Sequence, residues 1–263
     1  MFGNIRVLIS SFHRELIAYF VRPIWIFEVS FTPIVFVIIS FTIFHYYSTE
    51  VAYVSYLIIG SAALGLWGST LFGAGNSITR ERFIGTLEYI IGTPSSLQIV
   101  VIGKILGSSL MGFVSTIFIF LFVVILANEP ISIVSFPAFF TALICTFLSF
   151  VSMGVLLGSF FVLTRSATAY YNALSRSIYV LCGAMFPIAI LPSWVRPISY
   201  ILAPTWGIKA LKMAAFDSLF SSWCFIKTLL WLLILSVVYL LFSTQIFKKI
   251  EDKIREEAKL VEL

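Results

Sequence analysis

Charge is what this sequence has least of. Only 11% of its 263 residues are Asp, Glu, Lys or Arg, and its mean hydropathy is +1.05, whereas a soluble domain carries about 25% charged residues. That balance excludes a soluble globular fold and points to an integral membrane protein. Histidine is nearly absent too. His13 and His45 lie far apart on opposite predicted sides, and no HExxH spacing occurs, which argues against a histidine-built metal site. The three cysteines, Cys145, Cys182 and Cys224, are odd in number and widely spaced; they form neither a disulfide framework nor a metal pattern, and read as small core residues. A phosphate loop is missing. Gly103-Lys104 comes nearest, but Gln98 stands where its first glycine should be and Ile105 where a Ser or Thr should hold magnesium. No bound cofactor is therefore expected. Lys104 reads as a side chain snorkelling from the end of a span. The N-terminus lacks a short apolar run ending in a cleavage site, so no removable signal peptide is expected.

What is present is a series of long apolar runs. A bilayer-crossing helix needs about 20 such residues, and six segments qualify: 25–45, 54–75, 99–127, 136–163, 172–190 and 224–243. Strict alternation, the mark of a membrane barrel, is absent, so helices are the expected fold. Arg6, Arg14 and Arg22, then Arg80 and Arg82, then Arg165 and Arg176, and finally Lys248, Lys249, Lys253, Arg255 and Lys259 collect on one side. This places both termini in the cytoplasm of a multi-pass cell-membrane protein. The net charge of +5 thus describes topology, and no nucleic-acid partner is expected. Arg196, Lys209, Lys212 and Lys227 are the exceptions, lying in or beside the last outer connection.

The whole chain, 1–263, reads as one membrane domain. Residues 1–22 carry Phe2, Ile5, Ile9, Phe12, Leu16 and Phe20 at helical spacing, with Arg6, Ser10, His13 and Arg14 on another face. That is the pattern of an interfacial helix in contact with lipid. Residues 191–223 are broken by Pro192 and Pro197 and again by Pro204, yet stay apolar, which predicts short re-entrant helices in the outer leaflet. Residues 244–263 form a charged cytoplasmic tail. Gly103 with Gly107 and Gly154 with Gly158 can line either a dimer seam or packing inside one subunit; the second reading is preferred. The 27 phenylalanines are explained by lipid contact rather than by sugar stacking.

One patch does not fit a plain loop. Residues 76–98 read NSITRERFIGTLEYIIGTPSSLQ, and Ile78, Phe83, Leu87 and Ile90 fall at helix-like intervals among Arg80, Glu81, Arg82 and Glu88. The helix is expected to end near Gly92. Thr93-Pro94 then reads as the cap and first turn of the next helix, with a Ser95 to Gln98 capping box. Such a knob suits docking to a soluble partner.

At these residues the sequence resembles the permease subunits of ABC-2 type transporters. Their coupling helix follows a pattern close to ERxxGTLExLxxTP, matched here by Glu81, Arg82, Gly85, Thr86, Leu87, Glu88, Thr93 and Pro94. A second similarity is FPIAILPSWVRPISYILAPTWGIKALK, like the family's proline-rich return before the last span. Departures are Lys209 and Lys212 in place of a late arginine, and Phe83-Ile84 in place of a more polar pair. The resemblance implies half of an exporter's membrane part, a homodimer or heterodimer, driven by a separate ATPase subunit that binds ATP and magnesium. It nominates Arg80, Glu81, Arg82, Gly85, Thr86 and Glu88 as the ATPase-coupling residues. It also nominates Tyr56 and Trp67 in the second span, with Asn172, Arg176, Tyr179 and Met185 in the fifth, as the substrate path. The alternatives are a channel or secondary carrier without an ATPase, a membrane-embedded enzyme and a purely structural subunit. Inverted repeats would favour the carrier and convergent ionisable residues within the spans the enzyme; neither is found. Glu28 and Glu50 flank the first span and read as interfacial.

Overall fold

The computed structural model describes residues 2–22, 52–93, 95–127, 134–164, 167–184, 188–216 and 221–261, with scattered positions between 24 and 42. Among these the elements are helical: α1 (Phe2–Val21), α2 (Ala52–Ile84), α3 (Thr86–Gly92), α4 (Leu97–Ala127), α5 (Phe136–Leu163), α6 (Ala167–Leu181), a 3-10 turn (Ile188–Ile190), α7 (Arg196–Ile201), α8 (Ala203–Phe216) and α9 (Ser222–Val261). Among the described residues three helices are long and apolar enough to cross a membrane, over Leu97–Ile119, Phe136–Leu163 and Ser222–Lys253. The expected first span, 25–45, lies mostly outside the described residues.

The core forms where α2, α4 and α5 meet. Trp67 and Leu71 of α2, Ile105 of α4 and Phe150 of α5 are fully buried there, and the Trp67 and Phe150 rings pack 5.8 Å apart. Several buried hydroxyls are satisfied locally, as where Ser69 and Thr70 donate to the Leu66 carbonyl, or between helices, as in the 2.8 Å bond shared by the Thr70 and Ser109 hydroxyls. In a medium without water each such bond removes a polar group that would otherwise go unmet.

The glycine pairs pack within the chain. A side chain at Gly103 would run into the Leu8 carbonyl and Ser11, and one at Gly107 into Phe12 and Glu15. These two glycines therefore form the bed on which α1 lies against α4. The buried face of α1 is Leu8, Ser11, Phe12, Glu15 and Tyr19, while Ile5, Ile9 and Phe20 are exposed. The helix is amphipathic as expected, but its most apolar stripe points outward, free for lipid. A mixed stripe, in which Ser11 and Glu15 stand among Leu8, Phe12 and Tyr19, is the one that meets protein.

One boundary differs from the sequence reading. The fifth run forms a helix only over Ala167–Leu181, about 22 Å at 1.5 Å per residue, and it stops where Gly183 turns left-handed at φ 72°. The Lys212 ammonium closes that end, donating to the Gly183 carbonyl at 3.0 Å. The helix of the sixth run carries on past residue 243 through the tail, itself expected to be helical, as one 40-residue helix. Between them the chain forms short helices, Arg196–Ile201 and Ala203–Phe216. Gly207 of α8 lies against Thr146 of α5, Tyr239 of α9 donates to the Ile201 carbonyl at 2.6 Å, and the Ser135 and Val134 amides donate to the Ala214 and Ala215 carbonyls. So α8 is wedged between α5 and α9, antiparallel to both. Trp206 of α8 stacks on Trp231 of α9 at 6.1 Å, and the Lys209 ammonium sits 5.4 Å from the Trp206 ring centre.

Candidate coupling element

The charged patch is not a separate helix after the second span. Helix α2 runs unbroken through Arg80, Glu81 and Arg82 to Ile84, and the chain turns only at Gly85, with φ 78°. That left-handed conformation costs most residues about 1–2 kcal/mol and glycine little. The seven-residue α3 follows. The result is a blunt knob whose apex exposes Phe83 (92%) and Tyr89 (80%), with Ile84 half exposed. Glu81 lies on its buried side, and Arg80 and Arg82 are half-buried.

Glu81 sits at the centre. It is 3% exposed, and its Oε1 accepts from Lys104 of α4 at 2.7 Å and pairs with Arg14 of α1 at 2.8 Å. The Thr86 hydroxyl of α3 donates to its Oε2. Burial alone would raise the Glu81 pKa, but the hydrogen bonds from Lys104 and Thr86 and the charges of Lys104 and Arg14 outweigh it, so the carboxylate stays ionised below the usual range. The expectation that Lys104 snorkels to water is thereby corrected: its ammonium is buried and turned inward to Glu81.

Glu15 of α1 is buried beside this pair. Loss of water pushes its pKa up, against the pull of Lys104, Arg80 and Arg14 and with the push of Glu81. Sequence reasoning missed it, because a lone glutamate on the polar side of an amphipathic helix looks solvated. The signal lay in the facing glycines, which leave α4 no side chain to keep α1 at a distance.

Arg82 grips a different helix. Its Nη1 donates to the Thr164 carbonyl at 2.6 Å and its Nη2 to the Val162 carbonyl at 2.5 Å. The last carbonyls of α5 have no partner within their own helix, and a cation there also meets the negative end of the helix dipole. Arg82 thus ties the knob to α5, as Glu81 ties it to α1 and α4. Glu88 lies on α3, but its side chain is outside the described residues.

The caps also differ from expectation. Thr93 closes α3, its amide and hydroxyl both donating to the Ile90 carbonyl, and α4 starts only at Leu97. Instead of a Ser95 to Gln98 box, the Glu251 carboxylate of α9 caps α4, accepting from the Ser96 hydroxyl at 3.0 Å and the Leu97 amide at 2.6 Å. A full negative charge at a helix N-terminus displaces the weaker neutral cap. Gln98 turns to Thr244 of α9 at 2.8 Å.

The expected path residues divide. Trp67 and Tyr179 join α2 to α6: Trp67 Nε1 donates to the Ser175 carbonyl at 3.4 Å and the Tyr179 hydroxyl to the Leu64 carbonyl at 2.6 Å. Around them Ala63, Phe150, Ile178 and Ile208 close with no room for a water. Asn172 is exposed on α6. Tyr56 and Arg176 lie on α2 and α6 with side chains outside the described residues, as is the whole of Met185.

These features define a helical membrane bundle with a knob at one end tied down by polar contacts. The chain matches the profile of the ABC-2 type transporter family over residues 6–216 and belongs to that family of membrane permeases. It matches no curated protein.

Proposed function

We propose that this chain is the membrane-spanning permease subunit of an ATP-driven exporter. It would move a hydrophobic or amphipathic substrate, such as a drug, lipid, peptide or lipid-linked glycan, out across the cell membrane. It has six spans and both termini in the cytoplasm, and works as a homodimer or heterodimer on a separate ATPase subunit that binds ATP and magnesium. Family membership supports this reading. The observation that carries it is the knob: Phe83 and Tyr89 stand exposed on an element whose Glu81 and Arg82 grip α1, α4 and α5.

The mechanism follows from those grips. An ATPase that moves the knob moves α2 without a hinge before Gly85, and Glu81 and Arg82 carry the displacement to three other helices. Nucleotide can drive this only because the ATPase binds differently to the two states. Arg80, Glu81, Arg82, Gly85 and Thr86 shape and hold the knob, while Phe83, Tyr89 and Glu88 are its contact side. The substrate path runs along α2 and α6, past Tyr56, Trp67, Asn172, Arg176, Tyr179 and Met185, and opens as that seam parts.

Tagged chain purified in mild detergent is expected to bring down an ATP-hydrolysing protein. Glu88→Lys and the pair Phe83→Ala with Tyr89→Ala are expected to reduce that recovery without reducing membrane insertion. Wild-type chain that comes down alone overturns the proposal.

A further inference from the structure

Toward the end of the bundle away from the knob, α4 and α5 both line a cavity. Below, they touch through Phe113 and Phe147, whose rings meet edge to face at 6.0 Å. Above that pair lies this cavity of about 160 Å³, lined by Ile59 and Ala62 of α2, Ile117 of α4, Phe139 and Leu143 of α5 and Leu211 of α8. Among the described lining residues Thr116 brings the one hydroxyl, and it is already spent on the Ala62 carbonyl at 3.0 Å. The cavity therefore presents hydrocarbon alone. A cavity of roughly 150 Å³ lined this way stays dry and takes up small hydrocarbons.

Its mouth shows what can enter. Ile117 is half exposed, flanked by Val114 and Leu121 on α4 and by Phe136, Phe140 and Ile144 on α5, all exposed. Among the described lining residues Ile117 is the exposed one, so the cavity opens beside it on α4, and both α4 and α5 are candidate membrane spans. The medium at the mouth is then the bilayer's own hydrocarbon. A second copy of the chain fits less well, because the glycine pairs that permit close helix approach are already used: Gly103 and Gly107 by α1, Gly154 and Gly158 by Thr70, Val101 and Ile105.

We propose that this cavity is a lipid site, holding the terminal methylenes of one acyl chain of a phospholipid that enters sideways between α4 and α5 from the leaflet opposite the knob. The occupant touches α8 through Leu211 and the core through Ile59 and Ala62, so it fills the joint between α8 and the spans. This holds whether or not the chain works with an ATPase.

The test is photolabelling of the wild-type chain in vesicles containing phosphatidylethanolamine with a diazirine in its acyl chain, followed by peptide mapping. Label is expected to be enriched several-fold at Ile117, Phe139 and Leu143 over Leu230, Ile234 and Leu241, which are exposed on α9. Ala62→Leu, which fills the cavity, is expected to lose that enrichment while keeping the α9 label. Equal labelling of the two sets overturns the proposal. So does disulfide crosslinking between two copies carrying Ile117→Cys, since a second chain would then occupy the mouth.

Discussion

Glu81 carries more of the local structure than any other single residue here. It accepts from Lys104 and Thr86 and pairs with Arg14, in a place with almost no solvent. Removing one member of a buried pair leaves the other charge stranded, at a cost of about 3–5 kcal/mol, whereas replacing both by apolar groups is often neutral. Glu81→Ala is therefore expected to lower the melting temperature in detergent markedly, and Glu81→Leu with Lys104→Met to restore most of it. A double variant as unstable as the single one would show that the two are uncoupled. The sequence marked Glu81 as a coupling residue without naming the side chains it meets. Helical spacing put it on a polar face, and polar faces usually meet water. Its true partners sit on helices far along the chain, and no local pattern records that approach.

At the scale of elements, apolar length was a good guide. The runs at 99–127 and 136–163 became α4 and α5 nearly to the residue, because a stretch that must satisfy its backbone in hydrocarbon has one outcome. Ends were harder to read. A left-handed glycine stopped α6 early, and a carboxylate from α9 capped α4; both depend on tertiary neighbours. The seat of α1 was half legible, since the Gly103 and Gly107 pair announced a close approach without naming the helix that makes it. Gly103→Leu would collide with the Leu8 carbonyl and Ser11, so α1 is expected to lift from α4. In a background free of native cysteines, Ser11→Cys should then react faster with an impermeant thiol reagent. An unchanged rate would mean that α1 is held elsewhere.

The whole molecule should feel its two buried carboxylates in opposite senses. Glu81 is held below its ordinary value of 4.5, so its contribution is present above that pH and lost as acidification passes the lowered pKa. Glu15 is raised above the same value. Its contribution is full below about pH 4.5 and is lost as pH rises through the raised pKa. Thermal unfolding across that range should therefore separate the two: near neutral pH Glu15→Gln is expected to be more stable than wild type and Glu81→Gln less. Matching profiles for both variants would contradict the environments described.

The clip made by Glu251 changes how the last turns of the protein should be regarded. A charged terminal segment is commonly trimmed as dispensable. Here its carboxylate supplies the anion that seats the first turn of another helix, directly beyond the knob. Shortening the chain ahead of Glu251 would thus unseat a structural joint, and the tail belongs to the machine rather than to its wrapping.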